Sequence, residues 1–186
     1  MLLFVGLGNP TPNSQNNRHN IGFKIVDAIN QKFGLSKQKP KFKGLLTTGD
    51  IKENKIYVIK PLTFMNNSGI CIRELLEYFK IDSEDVIVFH DDLDVEFGKI
   101  KAKFGGSNAG HNGIASIDKF IGKDYSRVRI GIGHPKSKVE VSDHVLHDFN
   151  DEEKIELGTI TKSITESLPI LLDKKLDLFS STVNNK

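Results

Sequence analysis

A chain of 186 residues is long enough for one well-cored domain and short for two. Its 26 lysines and arginines almost balance 24 aspartates and glutamates, leaving a formal charge of +2, so any nucleic-acid contact must come from a local basic patch and not from a global field. The single cysteine, Cys71, excludes an internal disulfide and fits a reducing, cytoplasmic setting. The opening apolar run lacks the basic flank of a signal peptide, and no later stretch approaches membrane-spanning length, so no membrane partner is expected.

In chain order, Leu2, Leu3, Phe4 and Val5 read as a short buried strand bounded by Gly6 and Gly8. Asn9-Pro10 and Pro12-Asn13 force a turn. A polar loop then ends in Arg18-His19-Asn20, after which Ile21, Ile25, Val26, Ile29 and Phe33 repeat at helical spacing. Asn20 thus reads as an N-cap, with His19 just outside the helix. An imidazole and the Asn9 amide arrive at the C-terminal end of a buried strand, where open α/β sheets place their sites. A Gly-Leu-Gly turn is common in such folds, and one histidine at a helix start is more often a surface residue. The third glycine of a dinucleotide fingerprint is missing, which counts against that fold.

Residues 36–43 are lysine-rich and broken by Pro40, and read as a solvated loop. A hairpin is expected over Leu45–Ile51 and Ile56–Lys60, turning at Glu53-Asn54. The loop 61–69 leads into a helix bearing Ile72, Leu75, Leu76 and Phe79, with Cys71 a buried structural thiol. Val86 to Phe89 reads as a central strand ending in His90-Asp91-Asp92-Leu93-Asp94, either a metal site or a solvated acidic loop. Lys99, Lys101 and Lys103 share one face of the next strand, an arrangement that favours an anion lying across them. A glycine-rich loop, Gly105 to Gly113, feeds a helix with Ile114, Ile117 and Phe120; its Ser107 only loosely resembles a nucleophile elbow. Val128, Ile130 and Ile132 alternate in another strand. A short helix over Ser142–Leu146 and a long one from Asp151, with Pro169 inside it, close the chain, and Ser180 to Lys186 read as a disordered tail. The predicted class is α/β: a single domain over 1–186, with a mixed, mostly parallel twisted sheet flanked by helices.

Five motifs bear a resemblance to one family. Gly6-Leu-Gly-Asn-Pro10 with Arg18-His-Asn20, Thr63-Phe-Met-Asn66 with Ser68-Gly69, His90-Asp-Asp-Leu-Asp94, Gly110-His-Asn-Gly113 and Arg127-Val-Arg-Ile-Gly-Ile-Gly-His-Pro135 resemble bacterial peptidyl-tRNA hydrolase in type and order. The resemblance implies a monomeric cytoplasmic enzyme, with no obligate protein partner, that cleaves the ester between a peptide and the terminal ribose of tRNA. No metal or cofactor is implied. It makes His19 the base and Asp91 its partner, and counts Asn9 with the catalytic set as the residue that tells blocked from free aminoacyl groups. Asn66, His111 and Asn112 would bind substrate, Phe64 and Met65 would line its trough, and Lys101, Lys103 and Arg129 would hold phosphates of the acceptor stem. The family's pattern has glycine and tyrosine where this chain has Thr11 and Ser14; Ser14 therefore stands at a tRNA-facing place without the ring.

The residue types suit ester hydrolysis without the family, since a histidine titrates near neutrality, a carboxylate can orient it and neutral amides can donate to an oxyanion. Two other readings use the same residues: an RNA-binding module without chemistry, and a serine hydrolase working through Ser107.

Overall fold

Leu2, Leu3, Phe4 and Val5 are all buried because the strand they form, β1 (Leu2–Gly6), is the fourth of seven in one sheet. The structure, a computed structural model, describes residues 1–137 and 140–186. After β1 come α1 (Ile21–Lys32), β2 (Lys39–Lys41), β3 (Gly44–Ile51), β4 (Asn54–Pro61), α2 (Ser68–Phe79) and β5 (Val86–Asp92). They are followed by β6 (Ile100–Phe104), α3 (Asn112–Ile121), β7 (Ser126–Gly131), α4 (Val141–Leu146), α5 (Asp151–Leu172) and α6 (Leu176–Asn184). The strand order is β2-β3-β4-β1-β5-β7-β6. The four inner strands, β4, β1, β5 and β7, are parallel, and β2, β3 and β6 add antiparallel edges.

Alternation along β1 divides the core. Leu2 and Phe4 pack with Ile25, Ile29, Ile164 and Leu168 on the face carrying α1, α5 and α6. Leu3 and Val5 pack with Ile72, Leu75 and Ile117 beneath α2 and α3. An inner strand covered on both sides has no polar face to show, which is why the β1 and β5 sequences read as continuous apolar runs.

The structure departs from the sequence expectations at three places outside the site. Lys39–Lys41, expected as loop, pairs with β3 as a short edge strand; Pro40 is tolerated because an edge strand has a side with no ladder bond to lose. The hairpin turns at Lys52-Glu53, one residue early, with Lys52 at φ +53°. The expected disordered tail is the second half of α6. Phe179 and Val183 are buried, Asn184 accepts from Ile100 N–H and donates to Ile100 O at 2.9 Å each, and Ser180 accepts from Ala102 N–H at 2.8 Å. These polar side chains stand in for a missing neighbour along the open edge of β6.

Candidate active site

A Cβ on Gly22 would lie 2.3 Å from Phe89 O and 2.5 Å from Leu7 N, so only glycine lets the first turn of α1 rest directly on the ends of β1 and β5. The short 3-10 turn Arg18–Asn20 is thereby held over the end of β5. There His19 Nδ1–H donates to Asp91, 2.8 Å from Oδ2 and 3.0 Å from Oδ1, with both side chains buried. His111 Nε2–H donates to the same Oδ1 at 2.8 Å. Its tautomer is set locally: as the N-cap of α3, its Nδ1 accepts from Gly113 N–H and Ile114 N–H at 3.1 and 3.3 Å, so the proton must sit on Nε2.

Burial by itself would raise the Asp91 carboxyl pKa, but His111 and then His19, through charge and hydrogen bonds, overcome that and hold it well below the usual carboxylate range. Asp91 is therefore a fixed anion between two imidazoles. One ligand atom from each of His19, Asp91 and His111 lies within 4.8 Å of the others, as a metal site would need. The 2.8 Å N–O distances are those of N–H donation, and that bonding accounts for the arrangement. The other carboxylates of the run diverge: Asp92 accepts from Arg129 Nε at 2.8 Å, and Asp94 pairs with His134 at 2.8 Å. The acidic stretch is thus divided: Asp91 and Asp92 still belong to β5 and are buried, while Asp94 is exposed in the turn that follows.

Beside them His90 donates Nδ1–H to Asp91 O at 2.8 Å, while its buried Nε2 has no partner among the described residues. Burial, and then the charge of His111, push its pKa down to about 3 against the pull of Asp91, so the ring stays neutral.

Asn9 is gripped at three points. Asn20 accepts from Asn9 N–H and donates to Asn9 O, each at 2.9 Å, while Asn9 Oδ1 accepts from Met65 N–H at 2.9 Å. The Asn20 side chain makes no cap bond to α1; the predicted N-cap is instead a clamp on the neighbouring loop. Because Met65 N–H requires an oxygen opposite it, the Asn9 NH₂ is the group left to offer. Met65 is buried against the α3 start, where a Cβ on Gly113 would come within 2.5 Å of its sulfur and 3.1 Å of His111 Cε1. Thus the loops bearing Asn9, Met65 and His111 abut in sequence around Asp91.

A cavity of about 350 Å³ opens over the pair, walled by His19, Asp91, His111, Asn112, Asp94 and Val145. A larger space of about 910 Å³ opens onto Arg18 and Glu153, not onto His19. Phe64 and Asn66 lie exposed on the loop before α2, with Phe64 at φ +64°. Lys101 and Lys103 are exposed on β6, facing Arg129 and Arg127 in register on β7. Arg127 is buried on Asp118, Nη2 to Oδ1 3.0 Å, and on Ser107 O at 2.8 Å. Ser107 accepts from Ala109 N–H at 3.1 Å, and both nitrogens of the nearby His111 are already engaged, so His111 is not its base.

The model of the peptidyl-tRNA hydrolase family matches residues 3–186. The chain belongs to the peptidyl-tRNA hydrolase family. It is 80% identical over 186 residues, the whole of both chains, to a peptidyl-tRNA hydrolase of Pelagibacter ubique. With that of Gluconobacter oxydans it shares 45% over 98% of this chain and 97% of the relative. The crystal structure of the Acinetobacter baumannii peptidyl-tRNA hydrolase superposes with a TM-score of 0.92 at 34% identity, covering 99% of this chain and 94% of that one. The protein is accordingly a hydrolase with the fold of that family, and no helix among the described residues is long and apolar enough to cross a membrane.

For a peptidyl-tRNA hydrolase, the departures at Thr11 and Ser14 resolve into one contact. Their hydroxyls lie 2.5 Å apart, and Ser14 is buried within its turn, outside the lining of the cavity over His19. Three contributors went unread in the sequence: Asn20 as a clamp, the buried neutral His90, and Arg18. Arg18 donates through Nη1 to His144 O and His147 O at 3.2 and 3.3 Å, and through Nη2 to Glu153 Oε1 at 3.1 Å. The signal for the first and last was their adjacency to His19 within one motif. His90 had none, since its burial comes from the sheet.

Proposed function

We propose that the enzyme hydrolyses the ester joining a peptide, or an N-acyl-aminoacyl group, to the 3′-terminal ribose of tRNA, releasing tRNA for reuse in translation. The observation that carries this reading is the His19–Asp91 contact at 2.8 Å in the cavity wall. With Nδ1–H committed to Asp91, the Nε2 lone pair of His19 takes a proton from water as that water attacks the ester carbonyl. Asp91 balances the charge the ring gains and holds its tautomer. The same proton then passes to the ribose oxygen as the ester bond breaks. Neutral amides from Asn9, Asn66 and Asn112 are the donors to the carbonyl oxygens, and Met65 and Phe64 form an apolar wall for the substrate. The scheme calls on no cofactor and no second protein; a cytoplasmic monomer suffices for it.

Selectivity for blocked substrates follows from the way Asn9 is held. Its Oδ1 already accepts from Met65 N–H, so the donors of its NH₂ are what it turns to the substrate. The carbonyl of an N-acyl group accepts from them, whereas the ammonium of a free aminoacyl group brings only donors of its own. Lys101, Lys103 and Arg129 are the phosphate contacts of the acceptor stem in this scheme.

The test is release of N-acyl-amino acid from N-acyl-aminoacyl-tRNA by purified protein in the presence of chelator. His19→Ala should abolish turnover and leave tRNA binding intact. Retention of more than about a hundredth of the rate would exclude His19 as the base.

A further inference from the structure

The edge of the sheet farthest from Lys101 and Lys103 carries a second basic surface, and this one has an aromatic floor. Lys39 and Lys41 of β2 and Lys55 of β4 are exposed and make no ion pair among the described residues, whereas Lys43 is paired with Glu74. The three lysines ring a hollow of about 340 Å³ whose base is Leu46, Tyr57 and Phe79, and no carboxylate lines it. Tyr57 and Phe79 lie with ring centres 4.2 Å apart at 30°. The Lys41 ammonium is 4.6 Å from the centre of the Tyr78 ring and 5.8 Å from that of Phe79, and Tyr78 is 62% exposed.

Nothing in the catalytic reading uses this surface. β2 and β6 are the two ends of the seven-strand order, six strand spacings apart, or about 29 Å at the usual separation. Tyr57 belongs to the core beneath α2 and α3. Lys101 alternates with the buried Ile100 and Ala102 of the opposite core, so both basic patches occupy the same side of the sheet. Lys39 and Lys41 lie on β2 and Lys55 two strands away on β4, where Asp50 of β3 is its register partner; like charges gathered around a hollow that no carboxylate lines favour an anion lying across them. Exposed rings among such charges are what sequence-tolerant binding of unpaired nucleic acid uses, with cations on phosphates and rings under bases. We propose that Lys39, Lys41 and Lys55, with the Tyr78 ring, form a second RNA-binding surface, one that takes an unpaired RNA segment distinct from the acceptor end.

The test is fluorescence anisotropy of a labelled oligouridylate of about twelve nucleotides on the intact protein, between about 50 and 200 mM salt. The variants are K39E/K41E/K55E, Y78A and K101E/K103E. The triple variant should weaken binding at least about tenfold and flatten the log–log salt slope by about two, since three single-strand phosphate contacts count about 0.7 each. Y78A should cost about fivefold or more on the oligonucleotide and nothing on inorganic polyphosphate, which has no bases to stack. Melting temperature and turnover of a short N-acyl-aminoacyl ester should be unchanged in the triple variant. The inference falls if wild-type protein does not bind the oligonucleotide at the lowest salt. It falls equally if the triple variant stays within about twofold while K101E/K103E removes binding, or if phosphatidylglycerol vesicles bind more tightly than RNA and are lost in the same triple variant.

Discussion

Replacing Asp91 by asparagine should do more harm than replacing it by alanine, and the reason lies in His111. That ring cannot change tautomer, because Gly113 N–H and Ile114 N–H both point at its Nδ1. Its Nε2–H therefore demands an oxygen at the place of Asp91 Oδ1, 2.8 Å away. An asparagine must turn its carbonyl there and its NH₂ to the place of Oδ2, 2.8 Å from His19 Nδ1, leaving the carbonyl as the more distant partner at 3.0 Å. A donor at the nearer contact favours the tautomer with the proton on Nε2, the nitrogen that accepts one from water in the proposed scheme. Wrong-tautomer loss in histidine–carboxylate pairs is about 10⁴-fold in kcat, or roughly 5 kcal/mol of barrier. Asp91→Ala imposes no tautomer and should lose nearer 10²-fold, the lower end for general-base assistance. Steady-state kinetics on N-acyl-aminoacyl-tRNA with KM and kcat separated would decide it, KM moving little in either variant. Activity of Asp91→Asn equal to or above that of Asp91→Ala would refute the tautomer argument.

Three further outcomes follow from neighbouring groups. His90 is neutral when folded, with its pKa pushed to about 3, while the unfolded ring takes a proton below about 6.5. Its contribution to stability is thus full above about pH 6.5 and is lost as pH falls toward 3, reaching roughly 2 kcal/mol by pH 5; denaturant titrations should show His90→Phe with a shallower acid slope. Asn20→Asp keeps the acceptor for Asn9 N–H but sets a carboxylate oxygen against Asn9 O. It should cut kcat/KM about tenfold or more with His19 intact, and an unchanged value would show that Asn9 needs no clamp. Arg129→Ala should weaken tRNA binding more than Lys101→Ala because it also uncovers the carboxylate of Asp92. Losses of equal size, with equal salt slopes near one unit each, would deny Asp92 that influence.

Most of the fold was legible because β1, β5 and the helices carry periodicities that burial requires, and strand ends collect the polar residues that cannot enter the core. His19, Asp91 and Asn9 were legible for the same reason, as chemistry-bearing types just past apolar runs. What escaped was long-range pairing. Asn20 sits at a helix start, where asparagine usually caps, and nothing local says that its amide will turn back to Asn9. His111 is a poor cap by type, and its hold on Asp91 arises only once α3 packs beside β5. In the tail, Leu176, Phe179 and Val183 have helical spacing, yet serines and asparagines dominate the composition. Their use, bonding to the edge of β6, belongs to the sheet and not to the segment.

Arg18 gives the order of synthesis a bearing on activity. The turn that carries His19 is made within the first twenty residues, but its neighbour Arg18 is anchored by the carbonyls of His144 and His147 and by Glu153. Glu153 at the same time closes the capping box of α5 with Asn150. Asp91 and His111 are translated in between. Every partially made copy of this chain is itself a peptide esterified to tRNA, the linkage its family hydrolyses. In the proposed scheme, with His19 as the base, the turn that carries it is anchored through Arg18 to residues near the far end. A growing copy short of the long C-terminal helix therefore lacks that anchor and should not cut itself or its neighbours from the ribosome at the full rate.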